Sequence, residues 1–305
     1  MPAFFQVSFV TCAMMILSAL VSCKTEEGFV LVAAQESKGI MLISALVKGS
    51  HAYGAFIDTG VDPSVIDISV ARALGLPVDE SVSSEAEGSG DGQGLSVMQA
   101  TIEGLSLNGR KFRSIPAVAT DLSSFGSALN TDLALILGYS FLQNRIVRFD
   151  YQAGEIIIAD SRRSLPPTTT PVTKEYRVSL RFNSAEDVIP VFEINVRGEP
   201  VMVSLDTGKS GGVEFYGSAV DRLGLQQVAD AGEPETRHGA RGGRTVSGGV
   251  LDVISVGPFH VENAKASFSD KKPANEAREG NAGNAFLRNF VVTVDYINSE
   301  LVFAQ

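Results

Sequence analysis

The feature that most constrains this chain is that much of its sequence is said twice. Gly138 to Asp160 reads GYSFLQNRIVRFDYQAGEIIIAD, and Gly283 to Gln305 reads GNAFLRNFVVTVDYINSELVFAQ. Nine of the 23 positions match without a gap, among them Phe141/Phe286, Leu142/Leu287, Asp150/Asp295 and Tyr151/Tyr296. A second pair lies upstream: AFIDTGVDPSVIDISVARALGL from Ala55, and VSLDTGKSGGVEFYGSAVDRLGL from Val203. From Asp58 to Gly138 is 80 residues, and from Asp206 to Gly283 is 77. Similar blocks at similar separation imply a duplicated unit of about 120 residues. Between the copies lies SRRSLPPTTTPVTK, whose Pro166-Pro167 and threonine run suit a linker.

Each copy reads as mostly strand. Ile40–Val47 and Val188–Val196 are apolar, β-branched runs that end at turn-like segments, Lys48-Gly49-Ser50 and Arg197-Gly198-Glu199. A second apolar run then leads into the repeated aspartate, which is hairpin grammar. Arg145–Phe149 and Phe290–Val294 are expected strands, with Glu155–Ala159 and Glu300–Ala304 as partners. Helix is expected only at Ile68–Leu74 and Ser218–Leu223, each stopping at glycine. The fold class is therefore all-β with two similar lobes, 39–160 and 175–305, joined by a linker at 161–174. The composition, 44% hydrophobic and 20% charged, can fill such cores. A net charge of −10 argues against nucleic acid as a partner. Two cysteines cannot build a disulfide framework, and His51, His238 and His260 lack the spacing of a zinc site, so no metal or cofactor is expected.

Residues 1–22 read as a signal peptide and 23–38 as a tether. The largely apolar run Phe9–Val21 is 13 residues long, short of the about 20 a membrane span needs, and suits a signal h-region. Leu20-Val21-Ser22-Cys23 resembles the bacterial lipobox, which implies cleavage before Cys23 and lipidation of its thiol. The segment before Ser22 carries no Lys or Arg, a departure from a basic n-region. A plain secretory signal and an uncleaved anchor are the other readings. The expectation is a body held at a membrane of the bacterial cell envelope by acyl chains on Cys23, periplasmic or surface-facing.

Chemistry enters through a repeated tripeptide, Asp58-Thr59-Gly60 and Asp206-Thr207-Gly208, each after an apolar strand at the same place in its copy. One such tripeptide is an ordinary turn; two at matching positions are far more specific. With Leu135-Ile136-Leu137-Gly138 and the FL…DY segments, the chain resembles the bacterial retropepsin-like aspartyl proteases over both lobes, from about Gly39 to the C-terminus. That resemblance implies two retropepsin-like lobes in a pepsin-like pseudo-two-fold arrangement. It implies an Asp58/Asp206 dyad activating water against a peptide or protein substrate, with Thr59, Gly60, Thr207 and Gly208 supporting the loops. Two carboxylates about 3 Å apart cannot both ionise and so share a proton, supplying acid and base together. Glycine-rich stretches Gly88–Gly94 and Gly239–Gly249 follow each Asp at flap distance, making Gly90, Gly92, Gly242 and Gly243 flap candidates.

The chain also departs from the family. After the tripeptide, active members usually carry Ser, Thr or Ala; here stand Val61 and Lys209. Val61 is expected to pack like Ala. Lys209 is expected to snorkel to solvent, the other reading being an ammonium beside the dyad that spoils the shared proton. Gly280-Asn281-Ala282-Gly283 is less apolar than the family's crossing element. These departures leave a second hypothesis: a catalytically impaired peptide-binding or assembly lipoprotein on the same fold. Gly208-Lys209-Ser210-Gly211-Gly212 also fits the G-x-S-x-G elbow, but the strand–turn–helix context in βα units is missing. Arg237, Arg241, Arg244 and His238 form a basic cluster, read as a solvated loop or a contact for acidic substrate side chains.

Overall fold

The computed structural model describes residues 28–85, 94–182, 187–239, 242–270 and 278–305. Its first half runs β1 (Phe29–Ser37), β2 (Ile40–Val47), β3 (Tyr53–Ile57), β4 (Ser64–Asp67), α1 (Ile68–Ala73), β5 (Val78–Glu85), β6 (Ser96–Ile102), β7 (Leu105–Leu107), β8 (Arg110–Lys111), β9 (Ile115–Thr120), α2 (Ser123–Leu129), β10 (Leu133–Leu137), α3 (Tyr139–Leu142), β11 (Ile146–Asp150) and β12 (Glu155–Ala159). The second runs β13 (Glu175–Ser179), β14 (Arg181–Phe182), β15 (Pro190–Val196), β16 (Glu199–Leu205), β17 (Val213–Tyr216), α4 (Gly217–Arg222), α5 (Gln226–Asp230), β18 (Glu233–Gly239), β19 (Gly242–Val256), β20 (Phe259–Ser269), β21 (Gly280–Ala282), α6 (Asn284–Leu287), β22 (Val291–Asp295) and β23 (Glu300–Ala304). The protein is all-β in class.

Pairing follows one scheme in the two halves. The first orders its strands β2-β3-β10-β4-β9-β6-β5, the second β15-β16-β21-β17-β20-β19-β18. In each, the strand leading into the tripeptide lies parallel to a short crossing strand, β3 to β10 and β16 to β21. That crossing strand is antiparallel to the one after the tripeptide, β4 or β17. A central strand flanked on both sides must be apolar throughout, and β10, LALIL, is buried at all five positions. By contrast β5 at the sheet edge reads VDESVSSE, a polar run that discourages edge pairing.

The halves are joined by continuous sheet. Strands β13-β23-β22-β11-β12-β1 lie in that order, and β11 pairs antiparallel with β22, Arg148 opposite Thr293. Residues 29–37, expected within the tether, are β1, paired with β12 over one stretch and β2 over the next. Beneath these strands a single apolar cluster takes in residues of both halves; within it Phe192 and Phe290 each meet Phe303, with ring centres 5.0 and 5.4 Å away. Residues 161–174 are tied down by hydrogen bonds: the Pro166 carbonyl accepts from Arg148 Nη1 at 2.5 Å, and Thr170 donates to Asp150 through its N–H and hydroxyl.

Helix α1 forms because the Asp67 carboxylate caps it, accepting from the Ser69 and Val70 N–H groups, and it ends before Gly75 at φ +58°. α4 ends likewise before Gly224 at φ +61°. Helices α2, α3, α5 and α6 were not expected. Each is seven residues or shorter, too brief for a helical period to show, and is held by packing on the sheets. Among the described residues no helix is long and apolar enough to cross a membrane. The signal segment and Cys23 lie outside the described residues.

Candidate active site

The two tripeptide loops meet. Thr59 Oγ1 accepts from the Thr207 N–H at 3.1 Å and donates to the Leu205 carbonyl at 2.8 Å. Thr207 Oγ1 accepts from the Thr59 N–H at 3.1 Å and donates to the Ile57 carbonyl at 2.8 Å. Both threonines are buried. Each loop is also pinned to its crossing strand, Asp58 N–H to the Leu137 carbonyl and Asp206 N–H to the Ala282 carbonyl, both at 3.0 Å.

This clamp turns the two half-buried aspartates toward each other. A Cβ on Gly208 would lie 2.1 Å from Asp58 Oδ2, and one on Gly60 2.9 Å from Asp206 Cγ. Only glycine leaves room for the opposing carboxylate at either place. The glycine amides contribute as well: Gly60 N–H donates to Asp58 Oδ1 at 2.7 Å and Gly208 N–H to Asp206 Oδ1 at 3.0 Å. Loss of solvent, then the neighbouring Asp206 charge and a hydrogen bond to its side chain, raise the Asp58 pKa to about 8, although the amides of Gly60 and Gly208 pull it down. At neutral pH the pair therefore carries a proton on a carboxyl that would be ionised in water.

Around the second loop the two halves diverge. Ile136 of β10 sits opposite Phe56 of β3 and Val65 of β4. With Val61, Leu122, Leu133 and neighbours they form a small apolar cluster. The matching register in the second half sets Asn281 opposite Ser204 and Glu214. There Lys209 occupies the position of Val61. It does not reach solvent as expected, nor does it turn to the aspartates. Its ammonium lies 2.5 Å from Glu214 Oε2, with the side chain 13% exposed. Arg244 of β19 donates to both Glu214 oxygens, to Oε1 at 2.5 Å and to Oε2 at 2.6 Å, and Ser269 donates to Oε1 at 2.8 Å. Burial alone would raise the Glu214 pKa, but the Lys209 and Arg244 charges outweigh it and hold the carboxyl at about 2.

Two further residues were not foreseen. Asn281 Nδ2 donates to Asp206 Oδ2 at 2.7 Å. Buried Asn284 donates to the Thr207 and Gly39 carbonyls and accepts from Tyr151 Oη at 2.8 Å, bracing the second loop against the first half. The polar Gly280–Gly283 segment was the sequence signal for both, since an asparagine stands there in place of an apolar side chain and another just beyond it.

Gly242 and Gly243 lie where the β18–β19 hairpin turns, opposite Gly239 and His238, with Gly242 at φ +82°. On that hairpin Arg237 rests against Gly211, its Nη1 3.0 Å from where a Cβ would be. Gly90, Gly92 and Arg241 lie outside the described residues. Ser210, the nucleophile of the G-x-S-x-G reading, is exposed and no helix follows it directly. Among the described residues no group of three or more His, Cys, Asp and Glu side chains could hold a metal ion.

Residues 43–141 match a protein-family model described as aspartyl protease. The match runs from β2 through the first tripeptide to the residues just past Gly138, about a third of the chain. No curated protein matches the chain.

Proposed function

We propose that the chain is an aspartic endopeptidase in which one molecule supplies both halves of the catalytic pair, Asp58 from the first lobe (39–160) and Asp206 from the second (175–305). The observation that carries this reading is the facing of the two carboxyls with a raised pKa on Asp58. A water held between them is deprotonated by the ionised Asp206 as its oxygen attacks the peptide carbonyl carbon. Asp58 gives its proton to the carbonyl oxygen, so no full oxyanion forms. The tetrahedral diol then collapses: a proton moves through the carboxyls to the amide nitrogen, the C–N bond breaks, and acid and amine leave. The pair returns to one shared proton.

The extended substrate adds as a strand in the cleft between the lobes, and the β18–β19 hairpin closes over it as a flap. The matching strand order of the two halves supports a duplicated, two-fold-like architecture. The Leu20–Cys23 segment supports display of this body at the bacterial cell envelope on a lipid anchor. The test is incubation of the purified protein with a diverse peptide library between about pH 3 and 8, with new termini read by mass spectrometry. Endoproteolytic cuts that a peptide mimic with a hydroxyl at the scissile carbon suppresses are expected. Binding of library peptides without any cut would instead support the peptide-binding reading.

A further inference from the structure

The shared proton has two places to sit, and the carboxyls differ in what faces them. In the first half, the residue of the crossing strand two positions before its glycine is Ile136, which has nothing to offer a carboxylate. In the second half, the corresponding residue is Asn281, whose amide donates to Asp206 Oδ2 at 2.7 Å. Asp206 thus accepts from the Gly208 N–H on Oδ1 and from a side-chain amide, Asn281, on Oδ2, whereas the donors that favour ionised Asp58 are the backbone amides of Gly60 and Gly208.

Building on the peptidase reading, we propose that Asn281 is a positioning residue that keeps Asp206 ionised and so places the shared proton on Asp58. A donor aimed at a carboxylate favours its charged form. The orientation and the charge go together: with Asp206 ionised, a reversed amide would set its Oδ1 against Asp206 Oδ2, two acceptors face to face. The arrangement is not one that packing alone would select. Asn281 Oδ1 is buried without a hydrogen-bond partner among the described residues, a cost that an apolar residue such as Ile136 avoids.

The other charged and titratable groups near the pair do not compete for this role. Lys209, the nearest ammonium in sequence, is committed to Glu214, as is Arg244. Tyr151, Tyr216 and Tyr296 feel the aspartates, but burial above all raises each phenol far beyond its ordinary range, so each stays neutral. Arg288 bears on Tyr151, and pairs with Glu36 at 2.6 Å. The assignment has a mechanistic consequence. Asp206 is the base that activates water, and Asp58 is the acid that protonates the substrate carbonyl.

The experiment is a carbon-13 NMR titration of the aspartate carboxyls in the full-length protein. Asp58→Asn and Asp206→Asn samples assign the two signals. The pair titrates in two macroscopic steps. In the wild type the lower step is expected to be read mainly on Asp206. Asn281→Leu removes the donor and is expected to raise that step by about one to two pH units. Asn281→Asp keeps the shape but sets a third carboxyl against Asp206, and is expected to raise it further. A merely structural asparagine would lower the melting temperature of either variant without moving the step. The proposal is overturned if the lower step stays within a few tenths of a unit in both folded variants, or if it is read mainly on Asp58 in the wild type. The titration needs no turnover. A protein that cleaves nothing but shows the shift sinks the peptidase reading alone, and one that cleaves peptides with an unmoved step sinks only the role of Asn281.

Discussion

Thr59 and Thr207 exchange hydrogen bonds across the join of the two halves, each hydroxyl accepting the other's backbone N–H at 3.1 Å. Since each also donates to the carbonyl that precedes the opposite aspartate, the pair fixes both loops at once. Thr59→Ala would leave the Thr207 N–H and the Leu205 carbonyl buried and unpaired, at about 1–3 kcal/mol each. Thr207→Ala is expected to behave alike, and Thr59→Ser to lose much less. Denaturant unfolding checks the stability. Peptide cleavage should fall in both alanine variants and persist in the serine one.

The Glu214 carboxylate is almost wholly buried between Lys209 and Arg244, so removing it takes the buried anion away from the Lys209 ammonium. Glu214→Ala is expected to destabilise by roughly 3–5 kcal/mol, as broken buried pairs do. The pH dependence has a definite sign. The folded pKa of Glu214, about 2, lies below its ordinary 4.5. Its contribution is present above 4.5 and lost as pH falls toward 2. Thermal melts from pH 6 downward should show the wild type converging on Glu214→Gln; parallel curves would contradict this.

Asp58 gives the opposite sign. The folded protein holds its proton up to about 8, while the unfolded chain releases it near 3.8. Stability from this residue is therefore greatest below 3.8 and declines as pH rises toward 8. Asp58→Asn removes the penalty. Its melting temperature relative to wild type should climb between pH 4 and 8, and a constant difference would argue that Asp58 titrates as it does in water.

Lys209→Met separates the two early readings of that lysine. With the ammonium already neutralised by Glu214, its loss should leave the pH profile of cleavage in place and lower stability, because buried Glu214 loses one of the two cations that face it and keeps Arg244 and Ser269. A basic limb that moves upward would mean that the ammonium acts on the aspartates.

What the sequence revealed, and what it hid, follows from the range of the interactions. The tripeptides, the crossing element at Leu135–Gly138 and the FL…DY segments are local patterns, and a short apolar run between turn signals points to a buried strand or a buried helical turn; in the FL…DY segments the structure has both, Phe141-Leu142 and Phe286-Leu287 in α3 and α6 and the residues up to Asp150 and Asp295 in strands. The facing of Asp58 and Asp206 could be expected only through resemblance, since 148 residues of chain separate the threonines that enforce it. A lone lysine on a loop usually faces outward, which is what sequence alone predicts for Lys209; its partner Glu214, five residues on, is brought to it by the fold. Helices such as α3 and α6 are single turns with no period of their own. Asn281 was visible as an oddity within an apolar element, but its target was not.

The most direct test of the central claim is cleavage of one defined peptide by wild type, Asp58→Asn and Asp206→Asn, each shown to be folded. Acid and base here belong to one unit, so either amide should reduce kcat by several orders of magnitude, and the double variant should be hardly worse than either single one. Wild-type turnover that persists in one of the single variants would contradict a shared dyad.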